Sequence, residues 1–221
     1  MKMTESIKVV ALLGNKLHHK NTLATYLESG VNIVGVVFCE GSIKGIPINY
    51  MKIRLKKIGF LKLTSQIIAR IIYNLRNRSF DSSLYSSIFD KIKIERIMND
   101  SKFEEIFCRN YSDPGVLDWI SSLSPDIILC HTGQWIPKKI REIEGVKYVI
   151  GGHPGITQKY RGVHSPFWAI LKGDYSSIGW TSFLIDSGVD SGDILDQGFL
   201  SLSDTQSYFS ISWLGMKEIA L

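Results

Sequence analysis

The chain has 221 residues, of which 44% are hydrophobic and 21% charged, a composition typical of soluble globular proteins. No apolar run reaches the roughly 18–20 residues that span a bilayer, and no small-residue cleavage site follows the short apolar stretch near the N-terminus. We therefore expect a cytoplasmic protein of one domain, residues 1–221. Cys39, Cys108 and Cys130 form no CxxC motif and are expected to be buried, reduced thiols.

The predicted elements alternate between strands and helices. Strands over 7–14 and 31–38 enclose a helix over 19–29, capped by Asn21 or Thr22, which is a right-handed βαβ unit. Later strands are predicted at 103–109, 127–131, 146–150, 178–185 and 194–202, and helices at 114–123, 136–143, 165–171 and the C-terminus. The pattern predicts an α/β fold with a Rossmann-like, doubly wound, mostly parallel sheet. The loop after the first strand lacks G-x-G-x-x-G, which excludes a dinucleotide site.

The net charge of +5 is concentrated in one segment. From Gly41 to Phe80 there are nine Lys or Arg and no Asp or Glu, which leaves 17 basic against 21 acidic side chains elsewhere. Apolar residues at helical spacing predict a basic helical insertion over about 41–100, with Gly59 between two helices and a further helix from Asp81. Two interpretations stay open: a solvated basic face, or contact with an anionic membrane or substrate. No nucleic-acid motif accompanies the charge.

Two glycine-rich segments are candidate site loops. Gly151–Gly155 places three glycines around His153, directly after a predicted buried strand, and glycine allows close approach of backbone to a ligand. The segment 185–194 carries three Asp residues and two Gly between two predicted strands. Because ligands bind outside the carboxyl ends of the strands in such sheets, both segments are candidates. Core packing of the His and a solvated turn of the Asp-rich loop are the alternatives.

Taken together, these segments resemble the catalytic domain of the folate-dependent formyltransferases. The resemblance is carried by HPGITQKYRGVHSPFWAILKGD, followed by IDSGVDSGDIL, within about residues 125–200. The family includes glycinamide ribonucleotide, methionyl-tRNA and sugar N-formyltransferases. The residues of the motifs and the presence of the insertion are most similar to those of formyltransferase-like proteins of bacterial surface-polysaccharide pathways. Only about 20 residues follow the last predicted strand, so a tRNA acceptor, which goes with an additional C-terminal barrel domain in the family, is not expected.

The resemblance implies transfer of a formyl group from 10-formyltetrahydrofolate to an amine, in particular that of a nucleotide- or lipid-linked amino sugar. His153 would stabilise the developing oxyanion, and Asp190 would hold that histidine in its protonation state and help to take the amine proton. Folate would contact the residues Thr132, Gly133, Gln134, Trp135, Ile136, Asp186, Gly188 and Val189. The acceptor would contact Pro154, Gly155, Tyr160, Arg161 and His164. No metal site is expected, because no ligand spacing suggests one.

The sequence departs from the family pattern at Gly151, where the family has an asparagine that donates to the oxyanion. Losing one such donor costs about 10²–10³ in rate. The backbone N–H groups of Gly151 and Gly152, or the side chains of His131 or Gln134, are candidates to replace it. Three hypotheses stay open: a working transferase, a catalytically impaired folate- or partner-binding homologue, and a formyl hydrolase. A homodimer and a position at the inner membrane surface are further expectations.

Overall fold

The computed structural model describes residues 6–40, 55–57, 59–203 and 206–220. Its strands are β1 (Val9–Gly14), β2 (Ile33–Cys39), β3 (Glu104–Cys108), β4 (Ile127–His131), β5 (Tyr148–His153), β6 (Gly179–Leu184) and β7 (Ile194–Phe199). Its main helices are α1 (Leu17–Glu28), α2 (Phe60–Ile88), α3 (Lys91–Asp100), α4 (Val116–Ser122), α5 (Lys138–Arg141), α6 (Ser165–Leu171) and α7 (Tyr208–Glu218).

The strands form one sheet in the order β3-β2-β1-β4-β5-β6-β7. Strands β1 to β5 pair in parallel, whereas β6 and β7 are antiparallel additions at one edge. The chain reverses its direction of growth between β1 and β4, which is the switch point at which doubly wound sheets bind ligands. The predicted Rossmann-like, mostly parallel sheet is confirmed.

The core lies on both faces of the central strands. Val10 and Leu12 of β1 point into a cluster with residues of α4 and α5, while Ala11 and Leu13 point into a second cluster with residues of α1. Each fully buried aliphatic side chain of this kind contributes about 1.5–3 kcal/mol. The near-continuous apolar run of β1 is explained by this burial on both sides. All three cysteines are buried and free, as expected.

The helical segment differs in detail from the prediction. Helix α2 runs without interruption through Asp81, which accepts a hydrogen bond from Tyr73 within the same helix at 3.0 Å. The break comes later, where Asp90 caps α3 by accepting from the backbone of Lys93. The expected helix start at Asp81 was therefore wrong. Gly59, with φ +78°, precedes α2 as predicted, and residues 41–54 of the predicted insertion lie outside the described residues.

Helix α3 belongs to the α/β framework, since it fills the crossover between β2 and β3. Ile94 packs with Ala24 of α1, and Lys93 forms an ion pair with Glu28 at 3.0 Å. The basic segment predicted over 41–100 thus combines this crossover helix with the long helix α2.

Two helix boundaries were also misplaced. Helix α1 begins at Leu17 with Lys16 as its N-cap, so the predicted caps lie inside it, where Thr22 bonds to the carbonyl of His18. Helix α5 spans only Lys138–Arg141, with Pro137 as its N-cap. Within the described part of the chain, no helix combines the length and hydropathy that a membrane crossing requires.

Candidate active site

His153 is the last residue of β5, and both of its ring nitrogens have partners. Nδ1 lies 3.4 Å from Oδ2 of Asp190, and Nε2 lies 2.7 Å from Oγ of Ser165. The side chains of His153 and Asp190 are only 12% and 22% exposed. Burial lowers the pKa of His153, and the Asp190 carboxylate opposes that shift. The sequence prediction that His153 and Asp190 meet therefore agrees with the observed geometry.

Asp190 reaches His153 by a route that the sequence did not indicate. Because β6 is antiparallel to β5, the loop after β6 starts beside Val149, where the Ile185 N–H donates to the Val149 carbonyl at 2.8 Å. It must then return along β5 by about four residues, or roughly 13 Å, to reach His153. The Asp-rich loop follows the carboxyl end of a strand as expected, but because β6 is antiparallel that end lies at the opposite edge of the sheet from His153.

The backbone of Asp190 has φ +48°, a left-handed conformation that Asp and Asn tolerate better than most residues. In this conformation its Oδ2 also accepts a hydrogen bond from the Gly162 N–H at 2.8 Å. One carboxylate thus contacts the imidazole and fixes the loop that contains Tyr160, Arg161 and Gly162.

Asp186 organises the same loop from within. Its carboxylate accepts hydrogen bonds from the Gly188 N–H and the Ser191 hydroxyl, both at 2.8 Å, and these bonds, with that of Ser191 the larger, lower its pKa. Its carbonyl accepts a bond of 2.6 Å from Nη1 of Arg141. The carboxylate of Asp186 is therefore engaged mainly with its own loop, although the residue lines the cleft as expected of a cofactor contact.

A cleft of about 550 Å³ opens around these groups. All eight predicted cofactor residues line it, namely Thr132, Gly133, Gln134, Trp135, Ile136, Asp186, Gly188 and Val189. Pro154 and His164 line it as well, together with the catalytic candidates. In the described part of the chain, no three His, Cys, Asp or Glu side chains converge as metal ligands would.

Three residues predicted to contact the acceptor are absent from the described lining of the cleft. The Tyr160 hydroxyl donates to Asp174, and Nε of Arg161 donates to the Thr157 carbonyl at 2.8 Å, so both brace their own loop. A Cβ atom on Gly155 would overlap Ser165 and crowd Nε2 of His153. These residues support the site without lining the cleft, whereas the sequence analysis predicted that they contact the acceptor.

The two glycines proposed as oxyanion support lie within β5, paired with Phe183 and Ser182 of β6, and not in a free loop. A Cβ atom on Gly151 would lie 3.0 Å from Ile185 and 3.1 Å from Phe183, so apolar side chains cover the position of the family asparagine. A Cβ atom on Gly152 would overlap the ring of His131. Glycine at 152 therefore allows that ring to pack against the strand.

His131 is held in place by the core. Its Nε2 lies 2.7 Å from the hydroxyl of Tyr26, and burial lowers its pKa to about 4. The ring is therefore neutral near pH 7 and already has a hydrogen-bond partner. Gln134 lines the cleft, with its backbone N–H donating to Thr132. Of the two side chains considered as substitutes for the family asparagine, Gln134 has the more open position.

Sequence reasoning missed several residues of the site. Ser165, which is 2% exposed, contacts His153. Arg141 joins the loops of Asp186 and Trp135, because it bonds to Asp186 and its guanidinium lies 5.8 Å from the ring of Trp135. Tyr208 of α7 forms a hydrogen bond with His164. The start of α6 at Ser165 was a usable signal in the sequence. The contacts of Arg141 and Tyr208 depend on packing between distant segments and had no such signal.

The sheet order and the position of this cleft give the chain the formyltransferase fold. The glycinamide ribonucleotide transformylase 1 of Symbiobacterium toebii superposes with a TM-score of 0.61 at 10% identity, covering 98% of this chain and 84% of that structure. A sugar N-formyltransferase from Shewanella sp. superposes with a TM-score of 0.52 at 12% identity, covering 97% and 67%. These likenesses concern the fold.

Sequence relatives extend the likeness to part of the chain. The methionyl-tRNA formyltransferase of Clostridium novyi is 35% identical over 97 residues, which are 43% of this chain and 30% of that protein. That of Clostridioides difficile is 37% identical over 84 residues, covering 38% and 26%. The match thus spans less than a third of these curated relatives. No family model matches the chain. The resemblance to the formyltransferases inferred from the motifs is confirmed.

Proposed function

We propose that this protein is an enzyme that transfers the formyl group of 10-formyltetrahydrofolate to the amine of an amino sugar. The observation that carries the proposal is the position of His153, held between Asp190 and Ser165 and facing a cleft bounded by two loops. The volume of the cleft, about 550 Å³, lies in the range of small-molecule sites. The fold likeness to a sugar N-formyltransferase supports the acceptor class.

The reaction requires a hydrogen-bond donor and a proton acceptor at one carbon atom. Attack of the amine on the formyl carbon forms a C–N bond and a tetrahedral oxyanion, and breaking the bond to N10 of the folate releases tetrahydrofolate. Protonated His153 would donate from Nε2 to the oxyanion in place of its bond to Ser165, and the Asp190 carboxylate at Nδ1 would stabilise this protonated form. The proton lost by the amine would pass through this His–Asp pair to N10 of the leaving folate, so that no net proton is gained or lost.

Ser165 suits a histidine that changes its protonation state. Its hydroxyl has one proton and two neighbours, Nε2 of His153 at 2.7 Å and the Gly162 carbonyl at 3.0 Å. When the imidazole is neutral and donates from Nδ1 to Asp190, the hydroxyl donates to Nε2. When the ring is doubly protonated and no oxyanion is present, the hydroxyl accepts from Nε2 and donates to Gly162. Rotation of one hydroxyl thus keeps Nε2 of His153 paired in both states.

The cleft also offers surfaces for a flat, amphipathic co-substrate. Trp135 is 56% exposed and Val189 is 55% exposed on the two loops that bound it. An aromatic face and an aliphatic side chain on opposite walls favour stacking of a ring between them. Arg141 links these walls through its contacts with Asp186 and the indole, so their separation is fixed before the ligand binds.

A catalytically impaired folate-binding protein is the second candidate, and one observation favours it. Ile185 and Phe183 cover the position where the family asparagine would donate. This candidate predicts folate binding without turnover.

The experiment is a spectroscopic assay of tetrahydrofolate release from 10-formyltetrahydrofolate, with and without a panel of nucleotide-linked amino sugars. Turnover that requires one acceptor and is lost in His153→Ala supports the transferase. Tight binding of a folate analogue by calorimetry without turnover supports the binding protein. Release that occurs at the same rate without any acceptor indicates a hydrolase and contradicts the proposal.

A further inference from the structure

Helix α2 presents an apolar stripe to solvent. Leu61, Ile68, Ile72 and Leu75 fall within an arc of about 60° at 100° per residue. Leu61 is 83% exposed and Leu75 is 81% exposed. Phe60, Ile67 and Ile71 widen the stripe on one side and are exposed as well. Such a contiguous apolar face on the surface of a protein is a mark of an interaction site.

The opposite side of the same helix is anchored to the protein. Leu63 is buried, and Tyr73 packs edge-on against Phe209 with ring centroids 5.7 Å apart. Near the C-terminal end of the helix, on the side of Ile67, Tyr85 packs against Trp213 at 4.8 Å. Leu63 and Tyr73 lie roughly opposite the stripe on the helical wheel. The packed side of α2 is therefore already used, and the stripe is a second, outward apolar face.

Basic side chains accompany the stripe. Of the nine Lys and Arg between Gly41 and Phe80, the described ones with exposed side chains are Lys56, Lys57, Lys62, Arg76 and Arg78. The segment contains no acidic residue. An apolar face flanked by uncompensated positive charge is complementary to a surface that is apolar inside and anionic outside, which describes a bilayer that contains acidic lipids.

A second copy of this chain is a less suitable partner for the stripe than an anionic membrane. Face-to-face association of two α2 helices would bring together two sets of basic side chains with no acidic partner in the segment, and juxtaposed like charges oppose association. Nucleic acid would be complementary to the charge and would leave the aliphatic stripe exposed to water.

We propose that α2 docks this protein on an anionic lipid surface, lying in the plane of the interface with its aliphatic stripe among the acyl chains. The docked helix adjoins the cleft, because Phe209 and Trp213, which pack against α2, also line that cleft. Membrane binding therefore presents the cleft close to the headgroups. The stripe is distinct from the reacting groups, and docking through it does not depend on the proposed reaction.

The test is co-sedimentation of the intact protein with vesicles of phosphatidylcholine alone and of an equimolar mixture with phosphatidylglycerol. We expect binding to the mixed vesicles that weakens as salt is added. Replacing Lys56, Lys57 and Lys62 by Glu should weaken it by about a hundredfold or more, at about fivefold for each charge removed. Leu61→Ser and Leu75→Ser should each weaken it by about tenfold.

Matched controls use the same substitutions elsewhere on the surface. Lys8, Lys91 and Lys102 are exposed outside the basic segment 41–80, and Ile92 of α3 is 81% exposed, as Leu75 is. Their Glu and Ser variants should bind vesicles as the wild type does, and all variants should keep the wild-type circular dichroism. Equal binding to both vesicle types, absence of binding, or equal losses in test and control variants would overturn the proposal. So would a dimer in analytical ultracentrifugation that Leu75→Ser dissociates while vesicle binding is unchanged.

Discussion

Asp190→Asn removes a charge from the site while keeping its shape. The Asn side chain retains an oxygen that can accept from the Gly162 N–H, a bond of 2.8 Å in the wild type. Asparagine also tolerates the left-handed backbone that position 190 requires at φ +48°. We therefore expect the free energy of unfolding to change by less than about 1 kcal/mol, so that an effect on catalysis reports the charge.

The expected loss of activity in Asp190→Asn follows from the distance between Asp190 and His153. A carboxylate 3.4 Å from an imidazolium interacts by about 5 kcal/mol at an effective dielectric constant near 20. The amide dipole and solvent at these partly exposed side chains reduce the loss to about 3–5 kcal/mol, or about 10²–10⁴ in kcat. Steady-state release of tetrahydrofolate measures this loss in kcat. The pKa of His153, followed by NMR, should fall, because the neighbouring charge that favours its protonated form is gone.

The control is Asp193→Asn, the same change at an exposed position of the same loop. It should leave kcat and the pKa of His153 as they are in the wild type. An Asp190→Asn enzyme with wild-type kcat would refute the reasoning, and so would an unchanged pKa of His153. A large fall in melting temperature in Asp190→Asn alone would assign the carboxylate a structural role.

Three further predictions concern residues around the pair. Ser165→Ala should lower kcat by about 10- to 100-fold with little change in KM for the acceptor, because Nε2 of His153 loses its partner; wild-type kcat would contradict this. Gly151→Asn should lower stability by about 1–3 kcal/mol in urea melts and leave kcat no higher, since the new side chain meets Ile185 and Phe183; a stable, faster enzyme would show that the amide fits. Because the pKa of His131 falls from 6.5 in the unfolded chain to about 4 in the fold, the unfolded state binds more protons between these values, and stability falls as the pH is lowered. We expect His131 to contribute about 2 kcal/mol of the loss between pH 7 and pH 5, and His131→Gln should lose less than the wild type over that interval; identical slopes would contradict the assignment.

The central strands β1, β2 and β4 could be predicted from the sequence because they are buried on both faces. The observed β4 has the predicted bounds, 127–131, and α6 has the predicted bounds, 165–171. Burial on both sides demands a continuous apolar run, which a single sequence displays. The ends of α1 and α5 were less readable, since their first turns depend on how Lys16 and Pro137 leave the preceding loops.

The sequence predicted the site residues that belong to local motifs. It did not predict the residues that reach the site only through packing between distant segments. His153 and Asp190 were named from their loops, whereas Ser165 and Arg141 act through contacts across 12 and 45 residues of sequence. The periodicity of α2 predicted a helix, but periodicity alone cannot say which of two apolar faces is buried. Leu63 and Leu61 are two residues apart, and only the structure separates the packed side from the exposed one.

The loop between β6 and β7 returns along β5, so the number of its residues limits where the Asp190 carboxylate can lie. Each residue between Ile185 and Asp190 contributes at most about 3.5 Å of span, which is comparable to the 3.4 Å that separates the carboxylate from the imidazole. Substitutions at Ser187 or Val189 leave that span unchanged, whereas deletion of either residue would shorten the maximum reach of the loop from about 17 Å to about 14 Å, close to the roughly 13 Å that it must cover. The number of residues in this loop is therefore constrained by the distance that Asp190 must cover, independently of which side chains stand at positions 187 and 189.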